Sequence, residues 1–129
     1  MDSSNSSFSP DLQYFTSSSP TNGTNFNGSL KIYKNNSNSF EQVGETIFGN
    51  EMDFLGDHSS LSENGNLVAV TLRTNKVKVY ENISGSWIEK GSEIELFERP
   101  QRAFISADGN ELIVVIRPYF SYPLSVIRF

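Results

Sequence analysis

The sequence has no cysteine and only one histidine in 129 residues. Without thiols there is no disulfide, no cysteine-based zinc site and no thiol nucleophile. A single imidazole, His58, cannot build the common zinc sites, and any nucleophilic triad would have to form around it. Its neighbour Asp57 would point the opposite way on a strand, so His58 reads as a loop or strand-edge residue rather than a catalytic one. Basic residues are also few, 10 Lys and Arg against 15 Asp and Glu, and they form no block or stripe. Nucleic acid and membrane surfaces are therefore not expected partners.

Long hydrophobic runs are missing as well. No stretch of about 18 apolar residues could cross a membrane as a helix. The opening Met1-Asp2-Ser3-Ser4-Asn5 lacks the basic and apolar parts of a signal peptide, so the default expectation is a cytoplasmic protein. Asn-x-Ser/Thr triplets begin at Asn5, Asn22, Asn27, Asn35 and Asn82. They are read as chance matches in an Asn- and Ser-rich chain. No segment keeps a helical period; residues 93–104 come nearest, and Pro100 breaks them. Gly23 and Gly28 lie in polar sequence with no helix to follow, so no phosphate loop is expected. Glu51, Asp53 and Asp57 are too irregularly spaced for a calcium loop and read as a solvated connection rather than a glycosidase pair.

What the sequence has is a repeat. Leu30-Lys31-Ile32-Tyr33, Val77-Lys78-Val79-Tyr80 and Leu124-Ser125-Val126-Ile127 begin 47 residues apart. Phe40 and Trp87, Gly44 and Gly91, and Ile47 and Ile94 keep the same step. A fixed period of about 20–50 residues marks stacked copies of one supersecondary unit. The middle copy is the clearest. Ser62-Glu63-Asn64-Gly65-Asn66 joins two short strand-like runs, and its Asn-Gly pair predicts a type I′ hairpin turn. An alternating strand follows at Lys76 to Glu81, then a turn at Asn82 to Gly85 and a strand around Trp87. Ser106-Ala107-Asp108-Gly109-Asn110 repeats the hairpin 44 residues on. In the first copy Ser9-Pro10-Asp11-Leu12-Gln13 takes its place. Leu12 is costly in a left-handed conformation, so that turn is expected to differ or to be loose.

Lys31, Lys34, Lys76 and Lys78 read as solvent-facing residues that guard strand edges. Tyr33, Phe40, Tyr80 and Trp87 read as packing positions between repeats. The predicted fold is all-β: a partial β-propeller of about two and a half blades, each a short four-stranded antiparallel sheet. Residues 1–27 are a Ser/Asn-rich flexible segment or a degraded first half-blade. Residues 28–129 carry the repeats.

The ordered set Phe54-Leu55-Gly56, Ser60-Leu61-Ser62-x-x-Gly65-Asn66-x-Val68-Ala69-Val70, Val77-x-Val79-Tyr80 and Trp87 with Gly91 resembles FG-GAP and WD-type repeats of β-propellers. That resemblance implies blades whose strand 2–3 loops and blade-to-blade connections share one face, where partners commonly bind. Arg73, Arg99, Arg102, Arg117, Tyr119, Phe120 and Tyr122 are the candidate partner-binding residues assigned to those loops. Arg with aromatic residues is the composition of interface anchors. The expected function is a non-catalytic repeat module that binds protein or ligand, as part of a larger ring or a longer protein, with a protein partner or self-association. Alternatives are a piece of a propeller-fold hydrolase or lyase without its catalytic blades, and a cell-surface adhesion repeat. No catalytic, cofactor or metal residue is assigned.

Overall fold

Short runs of β-branched and aromatic residues, separated by Ser, Asn and Gly turns, can satisfy their backbone groups only by pairing side by side. The computed structural model describes residues 5–116 and the strand at 124–128. Among these residues there is no helix, and the strands form three antiparallel sheets that stack as successive propeller-type blades.

Blade 1 contains β1 (Asn5–Phe8), β2 (Tyr14–Ser19) and β3 (Ser29–Asn35), with an outer strand in two pieces, β4 (Phe40–Gln42) and β5 (Ile47–Phe48). Blade 2 contains β6 (Ser59–Leu61), β7 (Leu67–Leu72) and β8 (Lys76–Ile83), again with a divided outer strand, β9 (Ser86–Glu89) and β10 (Ile94–Glu95). Blade 3 contains β11 (Pro100–Ile105), β12 (Glu111–Ile116) and β13 (Leu124–Arg128). The 47-residue step is visible in the registers. Asn35 pairs with Phe40 as Asn82 pairs with Trp87, and Leu30 pairs with Ile47 as Val77 pairs with Ile94. Residues 5–27, so rich in Ser and Asn, supply β1, β2 and the connection to β3.

Two apolar layers lie between the blades. Leu30, Ile32, Ile47 and Leu55 meet Leu61, Val68, Val70, Leu72, Tyr80 and Trp87 between blades 1 and 2. Leu67, Ala69, Val77 and Val79 meet Ala103, Ile105, Leu112 and Val114 between blades 2 and 3. β7 is covered on both faces, which is why Leu67 to Leu72 reads as an almost unbroken apolar run. Next to the apolar layer, Thr16 and Ser59 share a buried hydroxyl contact of 2.7 Å that Ser7 joins at 2.8 Å.

Three expectations need correction. The Asn64-Gly65 turn is not type I′: only Gly65 is left-handed, with φ of 69°, and it donates its N–H to the Ser62 carbonyl. The two-residue turn with both φ positive lies instead at Ser84 and Gly85, 53° and 91°, between β8 and β9. The first-copy turn is neither loose nor different, because Leu12 takes a φ of 62° and keeps the same hydrogen bonds. In all three turns a serine hydroxyl and an Asp or Asn side chain hold the backbone: Ser9 with Asp11, Ser62 with Asn64, Ser106 with Asp108. These local bonds stabilise the turn whichever residue occupies the left-handed position. Lastly, Lys78 is buried rather than solvent-facing; it lies 3.8 Å from Glu89 and 3.9 Å from Glu93. Lys31 and Lys34 are exposed.

Candidate partner-binding surfaces

The connection from β5 to β6 is zipped onto the loop between β2 and β3. Gly28 bridges Leu55 in parallel, and the N–H groups of Phe54 and Leu55 donate to the carbonyls of Phe26 and Asn27 at 2.9 and 3.1 Å. A Cβ on Gly28 would lie 2.3 Å from the Leu55 backbone, so only glycine permits this approach. Three residues with side chains take left-handed conformations in the two loops: Phe26 at 54°, Met52 at 64° and Phe54 at 48°. Each costs on the order of 1–2 kcal/mol, which the pairing of the two loops must offset.

The strain presents a defined surface. The rings of Phe26 and Phe54 stack with centroids 5.0 Å apart and planes 6° off parallel. The Arg73 guanidinium lies 4.5 Å above the Phe54 ring. Asp57 holds Arg73 in a two-bond fork, Nε to Oδ2 at 2.7 Å and Nη2 to Oδ1 at 2.9 Å, and also accepts from Arg99 at 3.0 Å. The hydrogen bonds that Arg73 donates to Asp57 raise its pKa further above the usual arginine value. Arg73 and Arg99, from different loops, thus converge on one carboxylate. Arg102 does not join them. It sits in β11 beside a register shift and is exposed there. Arg117, Tyr119, Phe120 and Tyr122 lie outside the described residues.

Of the acids read as a solvated connection, Glu51 is exposed, but Asp53 and Asp57 are engaged by the fold. Asp53 is buried, accepting the Asn50 N–H at 2.8 Å and the Thr74 hydroxyl at 3.3 Å. His58 is an inter-blade bridge: its Nδ1 accepts the Ala103 N–H of blade 3 at 3.1 Å, edge-on to Phe104. Burial, helped by the nearby Arg102 charge, lowers its pKa below the usual histidine value.

A second surface is the open face of blade 1. The blade 2 positions that pack onto blade 1 are Leu61, Val68, Tyr80 and Trp87, all buried. Their register equivalents in blade 1 are Phe8, Phe15, Tyr33 and Phe40. Phe15 stacks on Tyr33 at 5.1 Å and meets Phe40 edge-on at 5.0 Å, with Phe8 at its other side. Phe8 is 59% exposed and Phe40 65%. Trp87 and Tyr80 are therefore packing residues between blades, whereas Tyr33 and Phe40 have no described blade over them. Towards the other end of this face, Ser17 and Ser19 replace Val70 and Leu72, and with Lys31 and Tyr33 they line an open cleft of about 290 Å³. Phe54 stood out in the sequence only beside Leu55 and Gly56, and nothing flagged Phe26 or the pairing of the two rings, because that pairing joins loops about thirty residues apart.

No protein-family model matches the sequence, and no curated protein matches it either. Solved structures do resemble it. Hydrazine synthase of Kuenenia stuttgartiensis aligns at 13% identity with a TM-score of 0.63, covering 97% of this chain and 44% of that one. A 6-phosphogluconolactonase-like protein of Bacteroides fragilis aligns at 15% identity with a TM-score of 0.70, covering 96% of this chain and 34% of that one. Its counterpart from Bacteroides uniformis gives 14%, 0.66, 99% and 37%. The chain thus spans less than half the length of each. At these identities the likeness shows the fold alone: this chain is a partial β-propeller.

Proposed function

We propose that this chain is a non-catalytic protein-binding module of β-propeller type, related to FG-GAP and WD-type repeats, and that it works as part of a larger ring. The open aromatic face of blade 1 carries this reading. It places Phe8, Phe15, Tyr33 and Phe40 at the register positions that blade 2 uses to dock on its neighbour. A contiguous exposed aromatic cluster at the position of a working interface is what an interface without its partner looks like. We assign the covering blade to another copy of the chain. The groups an active site would draw on are engaged in structure: Asp57 with two arginines, Asp53 with its own loop, His58 with blade 3. The Phe26–Phe54–Arg73 surface offers a second place for a protein partner.

Light scattering tests this. The chain is expected to associate as concentration rises, and Phe8→Lys with Phe40→Lys to leave it monomeric. Equal masses for both proteins would make the face an ordinary solvent-facing end and overturn the reading. A second reading, a piece of a propeller-fold hydrolase, draws on the likeness to the two 6-phosphogluconolactonase-like proteins. Turnover of 6-phosphogluconolactone by this chain would favour it.

A further inference from the structure

The sequence contains three Asn-Gly pairs: Asn22-Gly23, Asn27-Gly28 and Asn64-Gly65. In such a pair the glycine has no Cβ to shield its amide nitrogen from the asparagine side chain. That nitrogen, after losing its proton, can attack the asparagine Cγ. A C–N bond forms, the Cγ–Nδ2 bond breaks, ammonia leaves and a five-membered imide closes. Water then opens the imide at either carbonyl, giving aspartate or isoaspartate. The reaction needs a glycine N–H free of a hydrogen bond and a carboxamide free to turn towards it.

Two of the pairs are held against it. Gly65 donates its N–H to the Ser62 carbonyl, while Asn64 Oδ1 accepts the Ser62 hydroxyl at 3.0 Å and the Asn66 N–H at 2.9 Å. Gly28 donates its N–H to the Asn22 carbonyl at 3.0 Å and lies flush against the Leu55 backbone. Asn27 Nδ2 donates to the Gly49 carbonyl at 3.1 Å. In both pairs the turn or loop must open before the imide can close. Asn22 differs. It is exposed, and the Gly23 N–H has no partner among the described residues. A single bond among those residues holds its side chain, from Nδ2 to the Ser29 hydroxyl at 3.0 Å.

We propose that Asn22 is a self-modification site, converting to aspartate and isoaspartate in the folded protein while Asn27 and Asn64 stay intact. Conversion there acts on the loop pair. The Asn22 N–H donates to the Ser19 carbonyl at 3.1 Å, and its own carbonyl accepts from Gly28, whose loop is zipped to Phe54 and Leu55. Isoaspartate inserts a methylene into the main chain between those two bonds, and a carboxylate cannot donate to Ser29. Conversion therefore loosens the zipped loops and adds negative charge to the cleft that Lys31 lines. The reaction needs no partner and no further blade.

The whole chain is kept at mildly alkaline pH in heavy-oxygen water, folded in one sample and unfolded in guanidinium chloride in another. Tandem mass spectrometry of proteolytic fragments locates the heavy oxygen. Unfolded, all three pairs should convert at comparable rates. Folded, Asn22 should convert at close to its unfolded rate, and Asn27 and Asn64 at least roughly tenfold more slowly. The converted protein, separated by anion exchange, should show faster amide exchange at Phe54 and Leu55. Conversion of Asn27 or Asn64 as fast as Asn22 in the folded chain overturns the proposal, as does a folded chain in which Asn22 stays intact. Unchanged amide exchange overturns the link to the loop pair.

Discussion

Leu12 stands in the first blade where Gly65 stands in the second, with φ of 62° against 69°. At Gly65 a side chain is doubly excluded, because a Cβ would also fall 2.4 Å from the Tyr14 ring of blade 1. Gly109 repeats the contact against Leu67 of blade 2. Leu12 has no described blade ahead of it and is 62% exposed, so only the backbone strain remains. Leu12→Gly should therefore stabilise the protein by up to about 1 kcal/mol, the left-handed penalty less the added freedom of the unfolded chain. Urea unfolding measures it, and a loss of stability would mean that the leucine is packed.

Gly44→Ala and Gly91→Ala separate strain from contact. Both glycines are left-handed, but only Gly44 lies beneath an indole. Gly91→Ala should cost about 1 kcal/mol from the backbone alone, and Gly44→Ala about 1–3 kcal/mol more. In a Trp87→Ala background that extra cost should vanish, a non-additivity read from a double-mutant cycle.

Gly28→Ala should be among the most damaging single changes. Its Cβ would strike the Leu55 backbone at 2.3 Å, at a φ of 80°, so the loop pair must separate or the chain distort. We expect a loss of at least about 3 kcal/mol by urea unfolding, or failure to fold, with Gly85→Ala as the open-space control.

Stability should fall on mild acidification through His58. Its folded pKa is lowered, so the unfolded chain binds the proton more readily than the folded one. The contribution is complete above the unfolded value of about 6.5 and is lost as pH falls below that towards the folded value. The protonated Nδ1 can no longer accept the Ala103 N–H. Unfolding at pH 7 and pH 5 should show a decline that His58→Ala flattens, and an unchanged slope would remove His58 as its source.

Arg73→Lys should loosen the loop face. A lysine cannot reproduce the two-bond fork on Asp57 or lie flat on Phe54. A loss of about 1 kcal/mol is expected, with faster amide exchange at Phe54 and Leu55. Unchanged exchange there would show that the zipped backbone holds the loop without the arginine.

Much of this fold was legible because it is periodic. The steps from Phe40 to Trp87, Gly44 to Gly91 and Ile47 to Ile94 place equivalent residues at equivalent registers, down to the break in each outer strand. The turns were harder. Asn64-Gly65 suggested a two-residue hairpin, but Ser62 and Asn64 bond to the backbone and set a longer turn with one left-handed residue. Lys78 was misread because its acids, Glu89 and Glu93, come from the outer strand of the same blade, at the end of β9 and in the break before β10. Arg73 and Arg99 were chosen for the loops they occupy, and their shared carboxylate, Asp57, is 16 residues from one and 42 from the other.

The sequence by itself determined the strands, their order and the repeating turn, since pairing and alternation are local and recur with a fixed step. Only the tertiary structure decided which equivalent positions are covered. Trp87 and Phe40 share a register, yet one is buried and the other 65% exposed. Gly44 and Gly91 share a backbone conformation, yet one seats an indole and the other, among the described residues, nothing. Coverage depends on whether a neighbouring blade stands in front of a face, and no local pattern carries that information.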